Sequence, residues 1–105
     1  MHIQDEAMYD AAEFFKVFGD YSRLRILCAL MEKEMGVGEI TDALGMTQPA
    51  VSHQLRVLRQ NGLVKYRKDG KAVIYALDDS HVSDMLAQGL EHVLHKNKYE
   101  EEAGE

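Results

Sequence analysis

Apolar side chains recur at helical spacing through most of the chain, then alternate with polar ones over a short stretch beyond its middle. Met8, Ala11, Ala12, Phe15 and Phe18 predict a helix over residues 5–18, stopped by Gly19. Asp20 is placed to cap a second helix to about Lys33, carrying Leu24, Ile26, Leu27, Leu30 and Met31. Gly36 and Gly38 mark a turn, and a short helix follows from about Val37 to Leu44, ended by Gly45. Thr47 can cap the next helix, with Pro49 in its first turn, where a missing N–H does no harm. Within TQPAVSHQLRVLRQ, Val51, Leu55 and Leu58 share the buried face. Gln48, Ser52, His53, Arg56 and Arg59 are left for solvent or a ligand, and Asn61-Gly62 ends the segment. The period then changes. Leu63–Lys68 and Ala72–Leu77 read as two strands around Asp69-Gly70, a strong hairpin signal. A last helix begins at Asp78-Asp79 and runs to about Asn97, and the acidic residues 98–105 are expected to fray.

This order predicts a mainly α (α+β) winged helix-turn-helix, about five helices plus a β-hairpin wing, in one domain over residues 1–105. No repeat or linker interrupts it. A polar-faced helix fits the major groove of B-DNA, and a hairpin can lie along the adjacent backbone. Gln48, Ser52, His53 and Gln54 are residue types that read base edges or bond phosphate, and Thr47 belongs to the same stretch. Arg56 is placed to anchor the backbone, and Arg67, Lys68 and Lys71 sit near the hairpin tip.

Net charge changes that picture only on first sight. The chain carries a formal −6, yet residues 47–76 hold Arg56, Arg59, Lys65, Arg67, Lys68 and Lys71 against Asp69 alone. A local field decides whether a surface meets phosphate, so double-stranded DNA is the expected partner. No apolar run approaches the ~20 residues of a bilayer span, and MHIQDEAMYD lacks the apolar segment of a secretory signal. No membrane partner is expected. The one cysteine, Cys28, excludes an internal disulfide and fits a reducing cytoplasm. Its apolar neighbours mark it as a core residue rather than a reactive thiol.

The last helix carries different chemistry. Three of the five histidines, His81, His92 and His95, fall in DDSHVSDMLAQGLEHVLHKN. His92 and His95 share a face, and the eleven residues from His81 to His92 are nearly whole turns. Asp79 joins His81 at the helix start. The two pairs stand roughly 16 Å apart at ~1.5 Å per residue, whereas a zinc–nitrogen bond is ~2 Å. Two antiparallel copies of the helix would bring Asp79 and His81 of one chain to His92 and His95 of the other, twice by symmetry. That arrangement predicts a homodimer. Ala87 and Gly89 would allow close approach, and Val82, Met85, Leu86, Leu90 and Val93 would supply an apolar seam. Three imidazoles and a carboxylate suit tetrahedral zinc or cobalt.

Three stretches resemble the ArsR/SmtB family of winged-helix metal-sensing repressors: FGDYSRLRILCAL, TQPAVSHQLRVLRQNGLVKYRKDGKAVIYAL, and DDSHV followed by EHVLH. The resemblance covers nearly the whole chain. It implies a homodimer formed through the first and last helices. It implies metal ligands at Asp79, His81, His92 and His95, recognition contacts at Gln48, Ser52, His53 and Gln54, and wing contacts near Arg67 and Lys71. The implied activity is repression of metal efflux or sequestration genes, relieved by zinc, with cobalt or nickel also fitting. Members that sense cadmium, lead or arsenic carry a cysteine box where this chain reads EMGVGEI, so that site is not expected. Tyr21 stands where the family often has Pro, and His2 is read as an uninvolved end residue.

Two other functions compete with metal sensing. One is a winged-helix repressor with a non-metal inducer, whose last helix is only a dimer interface. The other is a small zinc hydrolase, disfavoured because four protein ligands leave no position for water.

Overall fold

The computed structural model describes residues 1–103, with side chains to residue 98. Its elements are α1 (Asp5–Phe18), α2 (Tyr21–Glu32), β1 (Met35–Gly36), α3 (Val37–Leu44), α4 (Gln48–Gln60), β2 (Val64–Asp69), β3 (Ala72–Leu77) and α5 (Ser80–Ala103). Five helices and a small antiparallel sheet make a winged helix-turn-helix.

Local chemistry explains most boundaries. The Asp20 side chain accepts from the Arg23 N–H at 3.2 Å and starts α2. Gly45 adopts a left-handed conformation (φ 65°) that lets the chain turn sharply between α3 and α4. Thr47 accepts from the Ala50 N–H at 3.3 Å to start α4. The hairpin is shifted by one residue from the expected Asp69-Gly70 turn. Asp69 pairs with Ala72, so Gly70 and Lys71 form the loop, with Gly70 at φ 64°. A glycine of positive φ at the first loop position matches the right-handed twist of the strands.

The sheet also holds a strand that periodicity did not reveal. The two-residue β1 pairs with β3 (Met35 with Tyr75, Gly36 with Ile74), giving the order β1-β3-β2. Two residues are too few to show a period. Helix α5 runs past the expected end near Asn97 to Ala103, because the glutamates there are good helix formers. The last of the expected frayed tail, residues 104–105, lies outside the described residues.

The core joins α2 (Ile26, Leu27, Leu30), α3 (Ile40), α4 (Val51, Leu55, Leu58), the start of the wing (Leu63, Val64) and α5 (Val82, Leu86). Two expected apolar faces need correction. On α1 it is Phe14, Val17 and Phe18 that pack on the core, while Met8 and Phe15 are about half exposed. Phe14 and Phe18 stack with centroids 5.9 Å apart, and this i, i+4 pair sets the inward face. On α5, Val82 and Leu86 are buried within the protomer and cannot line a dimer seam. They form one i, i+4 stripe directed at the protomer's own core, leaving Val93 and Leu94 exposed further along.

Candidate DNA interface and metal-ligand helix

Helix α4 presents a divided surface. Val51, Leu55 and Leu58 are fully buried, so their opposite face is fixed outward. Thr47, Gln48, His53, Arg56 and Arg59 are exposed there, and Ser52 is half-buried. Gln54 is turned differently. Its Oε1 accepts from Arg23 Nε at 2.9 Å, which ties α4 to α2. Arg25 makes a second tie, donating to the Leu44 carbonyl at 2.7 Å where α3 ends. These two bonds hold α3 and α4 at a set angle against α2.

The wing is joined to α4 through Arg59, whose guanidinium lies over the Tyr66 ring at 4.2 Å. This cation–π stack fixes the end of α4 against β2. Along β2, Tyr66 and Lys68 face one side of the sheet; Lys65, Arg67 and Asp69 face the other. Lys68 and Lys71 are exposed, and neither forms an ion pair among the described residues. Arg67 is engaged: its guanidinium donates to Glu34 at 2.8 Å and lies 3.9 Å from Asp69. The ties made by Arg23, Arg59 and Glu34 escaped sequence reasoning. Two of them, Arg23–Gln54 and Glu34–Arg67, span more than thirty residues, beyond any local pattern. Only the small Arg59–Tyr66 spacing could have been suspected.

Asp79 and His81 come together at the start of α5. The Asp79 carboxylate accepts from the backbone N–H groups of His81 (2.9 Å) and Val82 (3.2 Å), capping the helix. His81 Nδ1 lies 3.5 Å from the same oxygen. The Val82 N–H, and then His81, hold the Asp79 carboxyl below the usual carboxylate range. His92 and His95 are exposed further along α5. Among the described residues, no three His, Cys, Asp or Glu side chains of one protomer gather closely enough to hold a metal ion. His95 lines an open apolar groove of about 500 Å³ with Met31, Ala87, Leu90 and Leu94. Cys28 is half-buried on α2, and burial pushes its thiol up. It lines a second open groove, of about 580 Å³, with Leu24, Ala29 and Leu44. No helix is long and apolar enough to cross a membrane among the described residues.

A helix with buried apolar and exposed polar faces, set at a fixed angle and flanked by a cationic hairpin, defines a DNA-binding transcriptional regulator of the winged helix-turn-helix class. The profile of the "Bacterial regulatory protein, arsR family" matches residues 20–66, which run from the cap of α2 into β2. The chain is 44% identical over 82 residues to the "Transcriptional repressor SmtB homolog" of a Synechocystis strain, covering 78% of this chain but 62% of that protein. It is 38% identical over 93 residues to the "HTH-type transcriptional regulator NmtR" of Mycobacterium tuberculosis, covering 89% of this chain and 78% of that one. The solution structure of apo-NmtR superposes with a TM-score of 0.78 at 37% identity, covering 90% and 80% of the two chains. Over 84 residues the chain is 37% identical to the "Cadmium resistance transcriptional regulatory protein CadC homolog" of Staphylococcus aureus, covering 79% and 69%. The chain belongs to the arsR family of bacterial regulatory proteins.

Proposed function

We propose that this protein is a metal-responsive cytoplasmic repressor, a homodimer that holds operator DNA until zinc, or cobalt or nickel, binds at α5. One observation carries the reading. Asp79 and His81 already converge at one end of α5, His92 and His95 stand exposed towards the other, and the apolar Val93 and Leu94 beside them lack cover within the protomer. A second α5 laid antiparallel would cover those side chains and complete two ligand sets. The donor set fits: three imidazoles and one carboxylate, without thiolate, suit zinc or cobalt. Two relatives, one named a repressor and one a cadmium-resistance regulator, support the same class of activity.

On the DNA side, α4 supplies Thr47, Gln48, Ser52 and His53 for base edges and nearby phosphates, with Arg56 on the backbone. Lys68 and Lys71 of the wing meet flanking phosphates. Arg23 gives Gln54 a positioning role, because its amide oxygen is already engaged. Metal and DNA act against each other through linkage. If the metal-loaded dimer sets its two α4 helices at a spacing unsuited to successive major grooves, each ligand weakens the other by one shared factor, typically ~5–150-fold.

The test is binding of the purified dimer to a duplex selected from a random library, at stated salt, with and without zinc. Expected are uptake of about one ion per chain, as two symmetric sites require, and a matching loss of DNA affinity. Both are lost in His81→Ala or His95→Ala. Zinc uptake without change in DNA affinity would defeat the sensor and leave the DNA-binding regulator standing. In that case the inducer is non-metal and α5 serves only dimerisation.

A further inference from the structure

The two faces of the wing sheet differ in a way that charge counting hides. On the α4 side, Arg59 lies over Tyr66, and Lys68 is exposed without a carboxylate partner among the described residues. On the other side, Arg67 pairs with Ile74 of β3, and Ile74 pairs in turn with Gly36 of β1. Those three residues form one row across the sheet. Glu34 lies just before β1, and its side chain reaches the same face to meet Arg67. Gly36 puts no side chain into that row; a Cβ there would come within 3.9 Å of the Ile74 Cδ1 atom. The Arg67 guanidinium crosses the row and meets the Glu34 carboxylate at 2.8 Å. Asp69 closes on its other nitrogen at 3.9 Å. Glu34, Lys65, Arg67 and Ile74 enclose a small cleft of about 60 Å³ there.

We infer that Glu34 is an internal counterion that competes with DNA phosphate for Arg67, and so holds wing affinity below what its cations would allow. The inference rests on the DNA-binding reading above. A phosphate oxygen and the Glu34 carboxylate ask for the same donors in the same geometry. Arg67 can give its Nη2 donor to phosphate only by releasing Glu34, and the carboxylate that remains beside it repels the DNA backbone nearby. Both charges are more than half exposed, so the competition is modest and salt-dependent. Glu34 lies in the segment joining α2 to β1, whereas Arg67 is in β2. The pair thus also fastens the wing to the segment that leads into α3. Glu34 makes no contact with DNA itself and acts by occupying Arg67 and by its charge beside it, which makes it a positioning residue.

The experiment measures binding of a 40-base-pair mixed-sequence duplex, and of a duplex selected from a random library, across a salt series. The proteins are wild type, Glu34→Gln, Arg67→Ala, the double variant, and Lys71→Ala. Glu34→Gln is expected to tighten binding roughly 2–5-fold per protomer at moderate salt, the range for an exposed ion pair. Its salt slope should steepen by about one counterion per protomer. Arg67→Ala should weaken binding little in the wild type and clearly more in the Glu34→Gln background. Glu34→Asp, which keeps the charge, should behave like wild type. Unchanged or weaker binding by Glu34→Gln, or equal effects of Arg67→Ala in both backgrounds, would overturn the inference. Lys71→Ala separates that failure from a broader one. If Lys71→Ala flattens the salt slope while Glu34→Gln does nothing, the wing meets DNA and only the counterion role is wrong. If neither duplex binds any of the proteins, the DNA-binding reading itself falls.

Discussion

The middle of the molecule and its two end helices are built to different standards of completeness. From α2 to β3 the chain buries Ile26, Leu27, Ile40, Val51, Leu55, Leu58 and Leu63 completely, and hydrogen bonds from Arg23 and Arg25 tie α2 to α4 and to the end of α3. Helix α1 buries no residue fully, and α5 buries only Val82 and Leu86 among its described side chains. Phe15, Tyr9, Val93 and Leu94 remain largely exposed, although large apolar groups stabilise a fold only when removed from water. The DNA-facing parts are thus finished within one chain. Helix α5, which carries the proposed metal ligands, and its apolar surroundings are not, and in the proposed homodimer a second copy would finish them. Under the proposed function, recognition belongs to the protomer and regulation to the pair.

That contrast can be broken at either end. Leu55→Ala, in the middle, should destabilise the protein by about 2–5 kcal/mol, because a fully buried leucine leaves a cavity where α4 meets the core. Urea unfolding should show the loss equally in low- and high-concentration samples. At the ends the expected damage is to association, with folding spared. Phe15→Glu combined with Leu94→Glu should weaken self-association by roughly 30-fold or more, as removal of interface anchors does. Sedimentation would read this shift, and circular dichroism should stay unchanged. If the variant unfolds instead, α1 and α5 are structural parts of the protomer and the contrast disappears. Arg56→Ala should do less. It leaves fold and association intact and flattens the salt dependence of DNA binding by about one unit for each phosphate no longer neutralised, across all sequences alike.

The two regions also differ in how far they could be read from sequence. The helix boundaries of α2, α3 and α4 were legible because Asp20, Gly45, Thr47 and Pro49 are local signals, each acting within a few residues. The stripe of Val51, Leu55 and Leu58 is unambiguous because no other apolar set on α4 competes with it. On α1 the expected face was Met8, Ala11, Ala12, Phe15 and Phe18, of which Phe18 turns inward, joined by Phe14 and Val17 instead of Met8 and Phe15. Which side chains turned inward depended on α2, which no window on α1 contains. The same limit hid β1, whose two residues become a strand only by pairing with Ile74 and Tyr75. It also hid the engagement of Gln54 and Arg67, whose partners lie outside the segments that carry them. The spacing of Asp79, His81, His92 and His95 along α5 was legible as a pattern, yet part of the apolar seam placed beside it, Val82 and Leu86, belongs to the protomer's own core.

Asp79 carries the smallest effect on stability and the most discriminating one, since it sits where the finished and unfinished regions meet. Its carboxylate caps α5, a task completed within the protomer, and it is also the one carboxylate of the proposed ligand set. Asn caps a helix about as well as Asp but is a neutral, poorer metal donor. Asp79→Asn should therefore fold and associate normally while zinc affinity falls by at least about 10–100-fold, the range known for mere outer-shell partners. The pH behaviour gives a second reading. The folded Asp79 pKa is lowered, so the cap's contribution is complete above the ordinary carboxylate pKa of ~3.9 and disappears as pH falls through the lower folded value. Wild type should lose a small increment of thermal stability as pH falls below the ordinary carboxylate pKa of ~3.9, and Asp79→Asn should not. Should the variant keep both normal stability and normal zinc affinity, Asp79 is a cap and nothing more. The ion would then have to be held by histidines alone, and the antiparallel pairing of α5 would lose the residue that gives one end of the helix a reason to meet the other.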